Sequence, residues 1–221
     1  AKVEECRRLL EKPDPFKLGE LSDFTPLLKQ AREHPPLEAT DFLEINSTLS
    51  VGREAKEYIL DQPAEETTQL AELAEKVNVL ENLQSEIKSK IDRRGEIRDT
   101  ATERLFNLLK EKREIEGEVK QKLEGFLENH KNLIQDRVVV QKSNRLVVPL
   151  ISSAKERVDC VIHGSSNSGR TLFAEPSSAV KLNNKLKDLT SEILEEKKKI
   201  RRELTDLFKK HEWELRQNQN L

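Results

Sequence analysis

One stretch constrains this chain more than any other: Asn144–Asn184, which reads NRLVVPLISSAKERVDCVIHGSSNSGRTLFAEPSSAVKLNN. It concentrates β-branched runs, Gly, Ser and Pro in a sequence that is otherwise charge-rich and helix-patterned. Arg137–Gln141 leads in, Leu146–Ile151 and Val158–His163 follow, and Thr171–Ala174 is a fourth, shorter run. Branched side chains pack well on a pleated surface, and the bounding Asn, Ser, Gly and Pro tolerate turn geometry, so such runs predict strands joined by tight turns. A small sheet is expected between two long helices.

The flanks supply those helices. Residues 65–91 predict one helix, with Leu70, Leu73, Val77, Leu80, Leu83, Ile87 and Ile91 on a stripe. Asp92-Arg93-Arg94-Gly95 stops it, Gly being the usual residue just past a helix end. Asp99 or Thr100 caps the next helix, with Glu103 in the capping-box position for Thr100. Its stripe of Leu105, Leu108, Lys112, Ile115, Val119, Leu123, Phe126 and Leu133 runs to about Ile134. Beyond the sheet, Ser177 or Ser178 caps a helix to about Arg216, striped by Leu182, Leu186, Leu189, Ile193, Ile200, Leu204 and Leu207. Spacings of this kind make a two-helix seam. The insert brings the chain back on itself, so the two helices are expected to run antiparallel. Residues 1–66 read as short helices broken at Pro13-Asp14-Pro15, Pro35-Pro36 and Gln62-Pro63, with Phe42, Ile45, Leu49 and Ile59 on a buried face.

Composition agrees with that sketch. Charged residues make up 36% and aromatics only 4%, with a mean hydropathy of −0.73. Such a balance suits long solvated helices better than one round globule. Cys6 and Cys160 lie far apart without metal-ligand spacing and read as reduced thiols. No apolar run approaches the roughly 20 residues that span a bilayer, and no signal peptide opens the chain. The opening AKVEECRRLLEK begins without Met and inside a helical pattern, as a piece of a longer cytoplasmic protein would.

Charge is distributed unevenly. Residues 137–187 carry nine basic residues (Arg137, Lys142, Arg145, Lys155, Arg157, Arg170, Lys181, Lys185, Lys187) against Glu156, Asp159 and Glu175, a net of +6. The whole chain is −2, so the remainder is −8. A basic sheet on acidic stalks is what a nucleic-acid surface looks like; a soluble hairpin with protected edges looks the same. Lys197–Arg202 (KKKIRR) is a second basic run, but Glu192, Glu195, Glu196 and Glu203 stand at helical spacing from it and read as ion-pair partners.

Gly164–Thr171 fits the spacing of a phosphate-binding loop, with Arg170 where Lys is needed. That chemistry requires a helix starting behind the loop to face the phosphates. Here an extended run ending in Pro176 follows, and the guanidinium is a poor substitute for a compact ammonium. The loop is therefore read as a turn. No paired carboxylates, nucleophile–base spacing or metal-ligand cluster stands out, so the chain is read as non-catalytic, with no cofactor and no metal.

The central residues carry a family resemblance. Asn144-Arg145-Leu146-Val147-Val148-Pro149, Val161-Ile162-His163, Ser168-Gly169-Arg170-Thr171-Leu172-Phe173-Ala174-Glu175-Pro176 and Leu182-Asn183-Asn184 resemble motifs of the second bacterial subfamily of MutS proteins. Leu21–Ala31 and Asp92–Leu105 resemble two of its upstream segments, in collinear order. Two departures stand out: Gly164 replaces the usual acidic residue after His, and Ile151–Arg157 lacks the expected Gly-containing basic turn.

The resemblance implies a mainly α fold with a small β insert: a helical core plus long antiparallel coiled-coil lever helices carrying a short-stranded clamp sheet at the tip. The core would be 1–98, the ascending lever 99–136, the basic clamp 137–187 and the returning lever 188–221. It implies a homodimeric parent whose ATPase, with ATP and Mg, and Smr endonuclease domain lie outside this chain. The implied partners are DNA, branched or duplex, and the ribosome, with no membrane; the implied roles are suppression of homologous recombination and ribosome rescue with rRNA contact. Candidate nucleic-acid contacts are Lys142, Arg145, Lys155, Arg157, His163, Arg170, Lys181 and Lys185. The competing expectation is a structural module whose coiled coil only dimerises its parent.

Overall fold

A computed structural model describes residues 2–17 and 19–221; Ala1, where the expected core begins, lies outside them. The elements in order are α1 (Lys2–Leu10), α2 (Thr25–Glu33), α3 (Ala39–Leu60), α4 (Ala64–Lys76), α5 (Glu81–Lys90), α6 (Glu103–Asn129), β1 (Val140–Lys142), β2 (Arg145–Ile151), β3 (Cys160–Ser165), β4 (Thr171–Pro176), α7 (Ser177–Lys210) and α8 (Glu212–Gln219). The chain is mainly helical with one small antiparallel sheet, as its patterning predicts. It divides into two compact units, Ala1–Thr102 with Lys197–Leu221, and Glu103–Glu196.

The first unit is built of helices, with one antiparallel bridge between Ile91 and Ile97, around a core of Phe24, Leu28, Leu37, Phe42, Ile45, Leu83, Ile87 and Phe208. Phe24 and Phe208 meet edge to face at 6.1 Å, an orientation that sets ring edge against ring face. The last part of α7 belongs here: Leu37 N–H donates to Thr205 Oγ1 at 3.0 Å, and Arg201 pairs with Glu38.

Three predicted helices have different ends. The helix expected over 65–91 is interrupted at 77–80, where Leu80 takes a left-handed backbone (φ 49). Asn78 N–H donates to Asn218 Oδ1 and Asn78 C=O accepts from Asn218 Nδ2, both at 2.8 Å. A contact from far along the chain thus satisfies the break. Asp99 and Thr100 precede the start of α6 at Glu103, and α6 ends at Asn129 rather than near Ile134, because Leu133–Gln135 turns to pair with β2. The helix expected to reach Arg216 breaks at His211.

Within α4, Thr67 is non-helical (φ −134, ψ 22). The buried Glu5 carboxylate enters that kink and accepts the N–H groups of Gln69 and Leu70 at 3.0 and 2.9 Å. These are the donors a new helix start leaves without partners.

The second unit joins α6, the sheet and the first part of α7. Leu105, Leu108, Ile115, Val119, Leu123 and Leu127 of α6 are buried, as are Ala179, Leu186, Leu189 and Ile193 of α7. Arg104 pairs with Glu192 and Glu196 at 3.7 and 3.6 Å, while Glu111 pairs with Lys185 at 2.6 Å. Partners move backward along α7 as they advance along α6, so these stretches run antiparallel. The sheet order is β1-β2-β4-β3, with every neighbour antiparallel.

Candidate nucleic-acid interface

The four β-rich runs become the four strands, and their register decides which side chains meet. Side chains alternate across a strand. Lys142 pairs with Arg145, Val140 with Val147, and Pro149 with Phe173. Lys142, Arg145, Val147, Phe173 and Glu175 therefore share one face, and β3 brings His163 to it.

On that face Glu175 is 1% exposed. Arg145 Nη1 donates to Glu175 Oε1 and Oε2 at 2.7 and 3.0 Å, and its Nη2 donates to Asn184 Oδ1 at 2.6 Å. His163 Nε2 lies 2.6 Å from Glu175 Oε2; against an ionised carboxylate the ring nitrogen is the donor. A buried carboxylate is tolerable only when paired and hydrogen-bonded in this way. Beside it, the fully buried Asn183 accepts from Leu146 N–H at 3.1 Å and donates to Leu146 C=O at 2.9 Å. The signature residues that carry the resemblance are thus bonded to one another.

Lys142 crosses the same face. Its Nζ lies 5.2 Å from the centroid of Phe173, within the range of a cation–π contact. Its Cε is 3.8 Å from where a Cβ on Gly164 would stand, so the side chain of this β1 residue reaches β3 across the face. Gly164 has φ +130, a conformation that disfavours the acidic side chain expected there. The segment without a Gly turn, Ser152–Arg157, forms a short 3-10 helix with Ala154 buried beneath it.

Lys155 and Arg157 are exposed on that 3-10 helix, Arg170 on the β3–β4 turn, Lys181 and Lys187 on α7, and Arg137 just ahead of β1. Among the described residues none of these six has an acidic group within ion-pair distance. Lys185 does: its hydrogen bond to Glu111 raises its pKa. Of the eight candidate contacts, Arg145 and His163 meet at Glu175, Lys142 lies over Phe173, and Lys155, Arg157, Arg170 and Lys181 extend outward. Sequence reasoning missed the roles of Glu175 and Asn183, because the face Glu175 shares with Arg145 follows from the β2–β4 register.

Three N–H groups of the Gly164–Thr171 loop are used within the loop itself. Gly169 N–H bonds to Ser166 C=O, Ser166 N–H to Thr171 C=O, and Thr171 N–H to Ser166 Oγ. A strand follows it, not a helix. Cys160 has its pKa raised by burial and then by Asp159, the direction of an unreactive thiol. Among the described residues no group of three or more His, Cys, Asp or Glu could hold a metal ion, and no helix is long and apolar enough to cross a membrane.

No family model matches the chain. It is 31% identical over 225 residues to an Endonuclease MutS2 of Halothermothrix orenii, covering 98% of this chain and 28% of that protein. It is 34% identical over 194 residues to the Endonuclease MutS2 of a Geobacillus species, with 86% and 24% covered. The corresponding protein of Halalkalibacterium halodurans is 32% identical over 212 residues, with 94% and 27% covered. The chain thus spans about a quarter of the length of these curated relatives. Identity sustained over most of its residues, together with the bonded signature residues, makes this chain a MutS2-type segment of the MutS family.

Proposed function

We propose that this chain is the nucleic-acid-binding clamp-and-lever segment of a MutS-like ATPase and endonuclease, acting on branched or recombining DNA and so suppressing homologous recombination. The observation that carries this reading is a group of exposed cations within residues 137–187 that have no acidic group within ion-pair distance: Arg137, Lys155, Arg157, Arg170, Lys181 and Lys187, with Lys142 beside them over Phe173. None of them is tied up in an ion pair among the described residues, so bringing phosphates to them releases condensed counterions, the main source of sequence-independent affinity. Base edges would contribute little, because contacts from Lys and Arg to phosphates fix position without carrying sequence information.

In this reading the segment performs no chemistry. ATP hydrolysis with Mg and strand cleavage belong to other parts of a longer homodimeric protein, and ribosomal RNA is a second phosphate backbone the same surface would accept. The test is binding of the chain to labelled duplex, four-way-junction DNA and structured RNA at several salt concentrations. Affinity that falls steeply with salt and depends little on sequence supports the reading. Absence of binding at low salt, with the chain folded, would leave a structural module that only joins its parent's subunits.

A further inference from the structure

Arg145 and His163 belong to the basic segment by sequence, yet the Arg145 Nη atoms and His163 Nε2 bond inside the second unit. Arg145 is held at both ends of its guanidinium, by a carboxylate on β4 and by an amide on α7. Swinging it out to a phosphate would strip the guanidinium from Glu175, 1% exposed, and leave only the His163 ring nitrogen against a buried carboxylate, a costly outcome for a buried pair. Where β4 ends and α7 begins, Asn183 adds a second tie by taking both backbone groups of Leu146. Four elements therefore meet in one polar network: β2 through Arg145 and Leu146, β3 through His163, β4 through Glu175, and α7 through Asn183 and Asn184.

We propose that Arg145 is a positioning residue for the nucleic-acid surface and not one of its phosphate contacts. Together with Glu175 and Asn184 it fixes the start of β2, the end of β4 and the first turns of α7 as one body. The free cations on or beside those elements, Arg170 on the turn and Lys181 and Lys187 on α7, are thereby presented in one arrangement. The proposal rests on the nucleic-acid reading above, but the lock itself can be measured without any ligand.

Glu175→Gln separates the two roles by sign. It removes a negative charge from the basic segment 137–187 while keeping the shape of the side chain. A surface governed by net charge alone would bind phosphate more tightly; a surface that needs the lock would bind it less. The expected result with duplex and junction DNA is affinity lowered about ten-fold, within the usual range of coupling between sites, with the salt slope unchanged. Arg145→Lys should fail to rescue Arg145→Met, since a single ammonium cannot span Glu175 and Asn184. Tighter or unchanged binding by Glu175→Gln, rescue by Arg145→Lys, or a slope flattened by about 0.9 in Arg145→Met, the value of one lost phosphate contact, would each overturn the proposal. Amide exchange of the free chain is the second measurement. In Glu175→Gln, protection should fall together at 145–147 and 181–186 while the first unit keeps its own. Loss confined to one of those stretches overturns the lock, and a wild-type chain that binds no nucleic acid sinks the reading beneath it.

Discussion

Asn183 on α7 and Leu146 on β2 are joined by two hydrogen bonds, amide oxygen to N–H at 3.1 Å and amide nitrogen to C=O at 2.9 Å. The side chain does what a neighbouring strand would do. β4 ends at Pro176, opposite Cys160, and α7 starts at once; Leu146 would otherwise keep two buried polar groups without partners. Asn218 treats Asn78 the same way in the first unit. A carboxamide suits this task because it carries one acceptor and two donors on a short stem.

Asn183→Leu should therefore destabilise the second unit by about 2–4 kcal/mol, the cost of two buried backbone groups left without partners. Asn183→Asp, which keeps the acceptor but sets a buried carboxylate oxygen against Leu146 C=O, should cost at least as much at neutral pH. Urea unfolding followed by amide exchange at Leu146 distinguishes the two variants.

Gly95 and Gly169 both have positive φ, 78 and 69, and test different costs. A Cβ on Gly95 would stand 2.8 Å from Thr40 Cγ2 and 3.3 Å from Thr40 Cα, whereas one on Gly169 would meet nothing within 4 Å. Ala at Gly169 should cost about 1–2 kcal/mol of left-handed strain. Ala at Gly95 should cost that and about 1–3 kcal/mol more from overpacking. Equal shifts in denaturation midpoint would contradict the packing of the 92–98 turn against α3.

Asp92 predicts a pH dependence. Its carboxylate accepts the N–H groups of Glu96 and Arg94 at 2.9 and 2.8 Å, which hold its pKa below the ordinary 3.8. A depressed folded pKa means stabilisation that is full above the unfolded value and lost as pH falls through the lower folded one. The gap in urea midpoint between wild type and Asp92→Ala should accordingly be constant from neutral pH down to about 5 and shrink below 4. A gap that widens on acidification would contradict these bonds.

The sequence made the strands legible because their β-branched runs are local and bounded by turn residues. The antiparallel return of α7 followed from the insert. The break at 77–80 was not legible: its apolar stripe continues through Val77 and Leu80, and the bonds that satisfy it come from Asn218. Likewise Arg145 looked like a surface cation, since its partner Glu175 is thirty positions away and becomes its neighbour only once β2 and β4 are in register. The free cations Lys155, Arg157 and Arg170 could be listed from charge alone, but which cations were free required the ion pairs of the structure.

The central claim is that nucleic acid is held by exposed cations of the second unit. Charge reversal of Lys155, Arg157 and Arg170 to Glu tests it most directly, set beside reversal of Lys197–Lys199, where Lys199 already faces Glu203 at 3.9 Å. With about four phosphates engaged, log K against log salt should fall with a slope of about −3.6 on duplex DNA for the wild-type chain. The triple variant in the sheet unit should flatten that slope by about 2.7 and weaken all sequences alike, while the α7 variant keeps most of its binding. Binding lost in the α7 variant but retained in the sheet variant would place the surface on the wrong element and contradict the account.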